Sequence, residues 1–111
     1  MLVALGLVTA GGAAATSVRS GLYGVVIRGP IRPVCVAGQP CSAPAPGVVL
    51  RFSRGGRVAA EARTRRDGSY RVRLAPGRYS VGGARRLEPR VATVPTGRFR
   101  RVDFSIDTGI R

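Results

Sequence analysis

Residues 57–81 alternate between apolar and polar side chains with a period of two, and the alternation is cut by Asp67-Gly68 and Pro76-Gly77. That period puts successive side chains on opposite faces of a strand, so such a run folds as half-buried β-structure. In "RVAAEART" the pattern predicts Val58, Ala60 and Ala62 inside and Arg57, Glu61 and Arg63 outside. In "SYRVRLA" it predicts Tyr70, Val72 and Leu74 inside, with Ser69, Arg71 and Arg73 outside. Tyr79 and Val81 share one side of "RYSV". Asp-Gly is a strong hairpin signal. Pro76-Gly77 predicts a type II turn, with Pro fixing φ and Gly taking the left-handed position. Residues 57–66 also contain good helix formers, but Gly55-Gly56 and Asp67-Gly68 bracket them at strand length.

The rest of the chain repeats the theme. "GLYGVVIR" is a strand rich in β-branched residues whose two faces are both apolar, Leu22, Gly24 and Val26 on one and Tyr23, Val25 and Ile27 on the other. Residues 29–47 contain five prolines, which forbid a regular central strand and predict a long, stiff loop. "VVLRFSR" aligns Val48, Leu50 and Phe52, and the Gly55-Gly56 pair after it predicts a hairpin. "GGARRLEPR" reads as a connection, "VATV" as a short strand, and "RFRRVDFSID" as the last strand, with Val102, Phe104 and Ile106 inward. About seven short strands separated by turns, with no convincing helix, point to an all-β sandwich.

At 111 residues one domain is expected. The formal net charge is +14, and every one of the 19 cationic residues is Arg. Residues with GC-rich codons dominate the composition, so genome composition accounts for much of the Arg count. The functional alternative is an anionic partner, which such a charge attracts with little selectivity.

Residues 2–15 carry no charge and end in Ala13-x-Ala15, the small-residue pattern of a signal-peptide cleavage site. The reading is a leader over residues 1–15, cleavage between Ala15 and Thr16, and a single domain over residues 16–111. No Lys or Arg precedes the apolar run, and its length is short for a transmembrane span. Secretion to an extracytoplasmic space follows, with no integral span left in the mature chain. Cys35 and Cys41 agree, since an even count in an oxidising compartment predicts one disulfide. Closing so short a loop contributes about 2 kcal/mol, which shapes a loop more than it holds up a domain.

The stretch "GRVAAEARTRRDGSYRVRLAPGRYSV" resembles the core hairpins of carboxypeptidase regulatory-like domains, through Asp67, Gly68, Tyr70, Leu74, Pro76, Gly77 and Tyr79. The resemblance implies a Greek-key, transthyretin-like (prealbumin-like) β-sandwich spanning residues 21–107. "GLYGVV" and "RVDFSID" sit where that family places its first and last strands, and the loop holding Cys35 and Cys41 looks like the disulfide-tied loop of small secreted bacterial members. Such domains accompany a separate catalytic domain in zinc carboxypeptidases, and the catalytic part has no counterpart in this sequence. Related sandwiches include carbohydrate-binding and adhesin modules. The Lys–Asn crosslink of some adhesins cannot form, because the chain has neither residue. The resemblance speaks for fold and little for function.

With no His, neither a Ser-His-Asp nor a Cys-His site can be built. The carboxylates are Glu61, Asp67, Glu88, Asp103 and Asp107. Asp67 reads as a turn residue, and Asp103 and Asp107 are about 13 Å apart along a strand, too far for a glycosidase pair. The expectation is a non-catalytic protein without cofactor or metal. Its candidate anion-binding face is Arg57, Arg63, Arg71 and Arg73, which cluster if the strands on either side of Asp67-Gly68 pair directly. The expected partner is an anionic cell-envelope polymer or another protein, with the chain itself a monomer. A carbohydrate-binding module is the alternative, with Tyr23 and Phe99 as candidate exposed rings. Nucleic acid is disfavoured, because export separates the protein from it and the arginine face holds no interleaved aromatics.

Overall fold

The computed structural model describes residues 19–110, so the expected leader and the junction between Ala15 and Thr16 lie outside the described residues. Within them the chain forms two packed sheets and no helix. The strands are β1 (Gly21–Gly29), β2 (Ala43–Pro44), β3 (Val49–Arg54), β4 (Arg57–Arg63), β5 (Ser69–Arg73), β6 (Gly77–Gly82), β7 (Leu87–Glu88), β8 (Val91–Val94), β9 (Phe99–Arg101) and β10 (Phe104–Asp107). In the six-stranded sheet β1 is the spine: β5 and β2 flank it antiparallel on one side, β9 and β10 parallel on the other, and β7 pairs with β10. The four-stranded sheet runs β4-β3-β6-β8, antiparallel throughout. The chain is an all-β sandwich, as the alternation predicts.

The inward halves of the strands make the core. Leu22, Val26, Tyr70, Val72 and Phe104 come from one sheet, and Leu50, Phe52, Tyr79, Val81, Ala92 and Val94 from the other. At the centre the Phe52 ring lies 6.3 Å from both Tyr70 and Phe104, which are 5.6 Å from each other. Aromatic pairs at such spacing add about 0.5–1.5 kcal/mol each beyond the area they bury.

Three local readings change in the folded chain. Asp67-Gly68 makes the expected tight turn, with Gly68 N donating to Arg65 O at 2.9 Å. The turn joins β4 in one sheet to β5 in the other, so these strands do not pair with each other. Pro76-Gly77 is likewise a crossing between sheets. Gly77 has φ 145° and pairs with Val94, well outside the left-handed position of a type II turn. Tyr79 Oη bonds Ala75 O at 2.6 Å across this corner, the geometry of a tyrosine corner. Third, Val58 is 54% exposed. A bulge pairs Phe52 with Ala60 but Ser53 with Val58, so Ala59 is skipped and Val58 turns outward with Ser53.

The predicted last strand is broken between β9 and β10, although its register against β1 is the same on both sides of the break. A Cβ at Gly24 would lie 2.2 Å from Val102 O, so only glycine lets β1 pass the break. Val25 N there bonds the Asp103 carboxylate at 3.0 Å, and Tyr70 Oη donates to Val102 O at 2.6 Å. Burial pushes the Tyr70 phenol above its ordinary value, and the nearby Asp103 charge adds to the shift.

Buried Thr64 fastens the proline-rich loop to the β4–β5 corner: its hydroxyl donates to Ala45 O at 2.6 Å and accepts from Val48 N at 2.8 Å. The Thr64→Val variant keeps the shape and leaves both main-chain groups unpaired, so it loses about 2 kcal/mol or more in urea unfolding. Because Tyr70 holds its proton more tightly folded than unfolded, its contribution is fully present below about pH 10 and is lost as pH rises further. Denaturation midpoints measured from pH 8 to 11.5 (about one unit or more on either side of the free phenol value) therefore fall in the wild type, and fall less steeply in Tyr70→Phe.

Candidate functional site

The four arginines expected to share one face are divided between sheets. Arg57 and Arg63 stand on β4 at the edge of the four-stranded sheet, and Arg71 and Arg73 on β5 in the six-stranded one. All four are exposed. The sheet crossing at Asp67-Gly68 separates them, so they do not form one cross-strand cluster. The edges of β4 and β5 still adjoin, and Glu61, Arg65, Arg71 and Arg73 line the groove between them.

Arg71 acquires other neighbours. On the outer face of the six-stranded sheet, register aligns Arg71 of β5, Tyr23 of β1 and Arg101 of β9 in one row. The adjacent row is Arg73, Gly21 and Phe99. The Phe99 ring lies over Gly21, where a Cβ would come within 2.6 Å of it. The Arg71 guanidinium sits on that ring, 3.8 Å from its centroid. Such a cation–π contact contributes about 0.5–1 kcal/mol at an exposed site, and here it fixes where the guanidinium lies. Phe99 is therefore half-buried under Arg71, whereas Tyr23 keeps 38% of its surface exposed.

Arg101 is oriented from the opposite side. Its Nε bonds both Asp103 oxygens, at 3.2 and 3.3 Å, so the terminal guanidinium nitrogens lie outside that pair. Arg65 bonds Ser69 Oγ at 3.1 Å. Arg65, Arg71 and Arg101 surround Tyr23 above a shallow hollow of about 280 Å³ whose floor includes Gly24, Val25 and Tyr70. A second hollow of about 440 Å³ adjoins it across Val25, lined by Ile27, Pro89, Phe104 and Ser105 and rimmed by Glu88 and Asp103. One face thus presents a phenol ring between guanidinium groups, and beside it an apolar hollow; arginines and aromatics interleave here, contrary to the expectation of an arginine face without aromatics, because register brings β1 and β9 beside β5.

The carboxylates do separate work. Glu61 pairs with Arg51 at 3.0 Å, and Asp107 with Arg86 at 3.8 Å while accepting from Gly109 N. Asp67 accepts from Ser69 Oγ at 2.6 Å and Ser69 N at 3.0 Å, which holds its carboxyl below the usual carboxylate range. Asp103 supports the break in the last strand. Cys35 and Cys41 form a disulfide with Cα atoms 5.5 Å apart. Among the described residues no helix is long and apolar enough to cross a membrane.

Sequence patterning found Arg71, Tyr23 and Phe99 separately but did not join them, and it missed Arg65 and Arg101 as partners. The one available signal was the pair of bare glycines in "GLYG", which marks a close approach by other chain segments. Comparisons with protein-family models, curated proteins and solved structures return no significant match.

Proposed function

We propose that this protein is a secreted, non-catalytic binding module that holds an anionic cell-envelope polymer across the outer face of its six-stranded sheet. The observation that carries the reading is the row of Arg71, Tyr23 and Arg101, with Arg65 beside it. Guanidinium groups pair with phosphate or carboxylate through two hydrogen bonds at once, and the ring offers a flat apolar surface to a sugar or polyol unit between charges. The disulfide supports an extracytoplasmic location. The carboxypeptidase regulatory-like assignment, with its Greek-key path, belongs to the same proposal and is supported by the turn and core residues that carry the resemblance.

A neutral carbohydrate is the second reading, favoured by the exposed Tyr23 ring and the apolar hollow beside it. Salt separates the two. With poly(glycerol phosphate) as the probe, affinity falls steeply with salt, and Arg65→Gln/Arg71→Gln/Arg101→Gln flattens the log–log slope by roughly one per arginine removed. Arg57→Gln/Arg63→Gln changes it less. An unchanged slope in the triple variant sinks the polymer reading. Binding that survives high salt and is lost in Tyr23→Ala favours the neutral sugar instead.

A further inference from the structure

At the far end of β1 the proline-rich loop presents a different surface. All eight residues 33–40 are exposed, and the apolar ones lie among them, with Val34 at 70% and Val36 at 51% exposure. An apolar tip of this kind ordinarily collapses onto the nearest core. Here four links hold it out. The Cys35–Cys41 disulfide closes the loop, Ile31 N bonds Cys41 O at 2.9 Å and Gln39 N bonds Val36 O at 3.1 Å, and Arg32 bonds the Gln39 side chain. Thr108 anchors the base, its N–H donating to Gly29 O at 3.0 Å and its hydroxyl to Pro30 O at 2.6 Å.

The charge carried by the loop segment itself has one sign. The sequence contains no acidic residue before Glu61, while Arg28 and Arg32 stand at the start of the loop. Two carboxylates stand at its base: Asp107, next to Thr108 and paired with Arg86, and Asp67, in the turn whose Gly68 packs against Pro44 and Ala45. Tyr23 and Gly29 are six strand residues apart, about 20 Å, so the tip is separate from the arginine–tyrosine row.

We infer that this loop is a membrane-surface anchor, in which Val34 and Val36 insert into the outer part of an anionic lipid bilayer while the surrounding arginines meet the headgroups. An anionic surface is the partner that suits exposed valines inside an exclusively basic segment, because apolar burial and charge attraction then act together. The depth is limited to the boundary between headgroups and acyl chains, since the loop's main chain retains polar groups that need water or headgroup partners. The disulfide and the internal hydrogen bonds order the tip in advance, so insertion sacrifices little conformational freedom. This surface is additional to the polymer-binding face and uses none of its residues.

The chain has no Trp, so a single introduced indole reports on its own position. With vesicles of phosphatidylglycerol and phosphatidylcholine, Val34→Trp emission shifts to the blue and is quenched by brominated acyl chains. Val58→Trp, at a valine 54% exposed on β4, stays hydrated on the same vesicles. Val34→Ser/Val36→Ser weakens vesicle binding on the order of tenfold per valine, with Tm unchanged. The inference is overturned if the indole of Val34→Trp stays hydrated while the protein sediments with vesicles, if both reporters shift alike, or if the double serine variant binds as the wild type does. The first two results mean adsorption through scattered arginines, and the third means that the valines serve another partner.

Discussion

Close packing around β1 is the constraint on which the rest of the molecule depends. Four of the five other strands in its sheet bond directly to it: β2, β5, β9 and β10. Where β9 gives way to β10, the Val102 carbonyl comes so near β1 that only the missing side chain of Gly24 makes room. That break deprives Val25 N of an ordinary ladder partner, and the Asp103 carboxylate takes the place. The Tyr70 hydroxyl reaches from β5 to the same Val102 carbonyl. One glycine, one carboxylate and one phenol thus fix how three neighbouring chain segments meet, and all three groups lie in or beneath the outer face.

This junction links the fold to the proposed binding surface. Asp103 orients Arg101 through Nε and Phe99 orients Arg71 through its ring, so two long side chains are held on either side of Tyr23. Cationic side chains otherwise lose substantial rotamer freedom on binding, and fixing them beforehand lowers that cost. Among the described residues, no such ring contact holds the arginines of β4. A high total charge says little about which arginines bind; local supports distinguish them. At the opposite end of β1 the disulfide and Thr108 fix a second, apolar surface in the same manner.

The core was legible in the sequence because strand periodicity is local: Leu50, Phe52, Tyr70, Val72, Leu74, Tyr79, Val81 and Phe104 are all buried where alternation places them. Leu87 and Ala45 are equally buried but stand in segments without a period, so nothing in the sequence marks them. Turn chemistry revealed that the chain reverses at Asp67-Gly68, yet a turn does not dictate which sheet the next strand joins. That is why Arg57 and Arg63 parted from Arg71 and Arg73. The row of Arg71, Tyr23 and Arg101 needs strands β1 and β9 in parallel register, with Tyr23 and Arg101 far apart in sequence. Thr64 was equally hidden, because its bonds depend on where the proline-rich loop returns.

An amide chemical-shift titration of the protein with a short glycerol-phosphate oligomer locates the binding face directly. The shifts concentrate at residues 21–25, 65–73 and 99–103, around the Arg71–Tyr23–Arg101 row. Shifts centred on Arg57 and Arg63, or spread evenly over the arginines of both sheets, would contradict that placement.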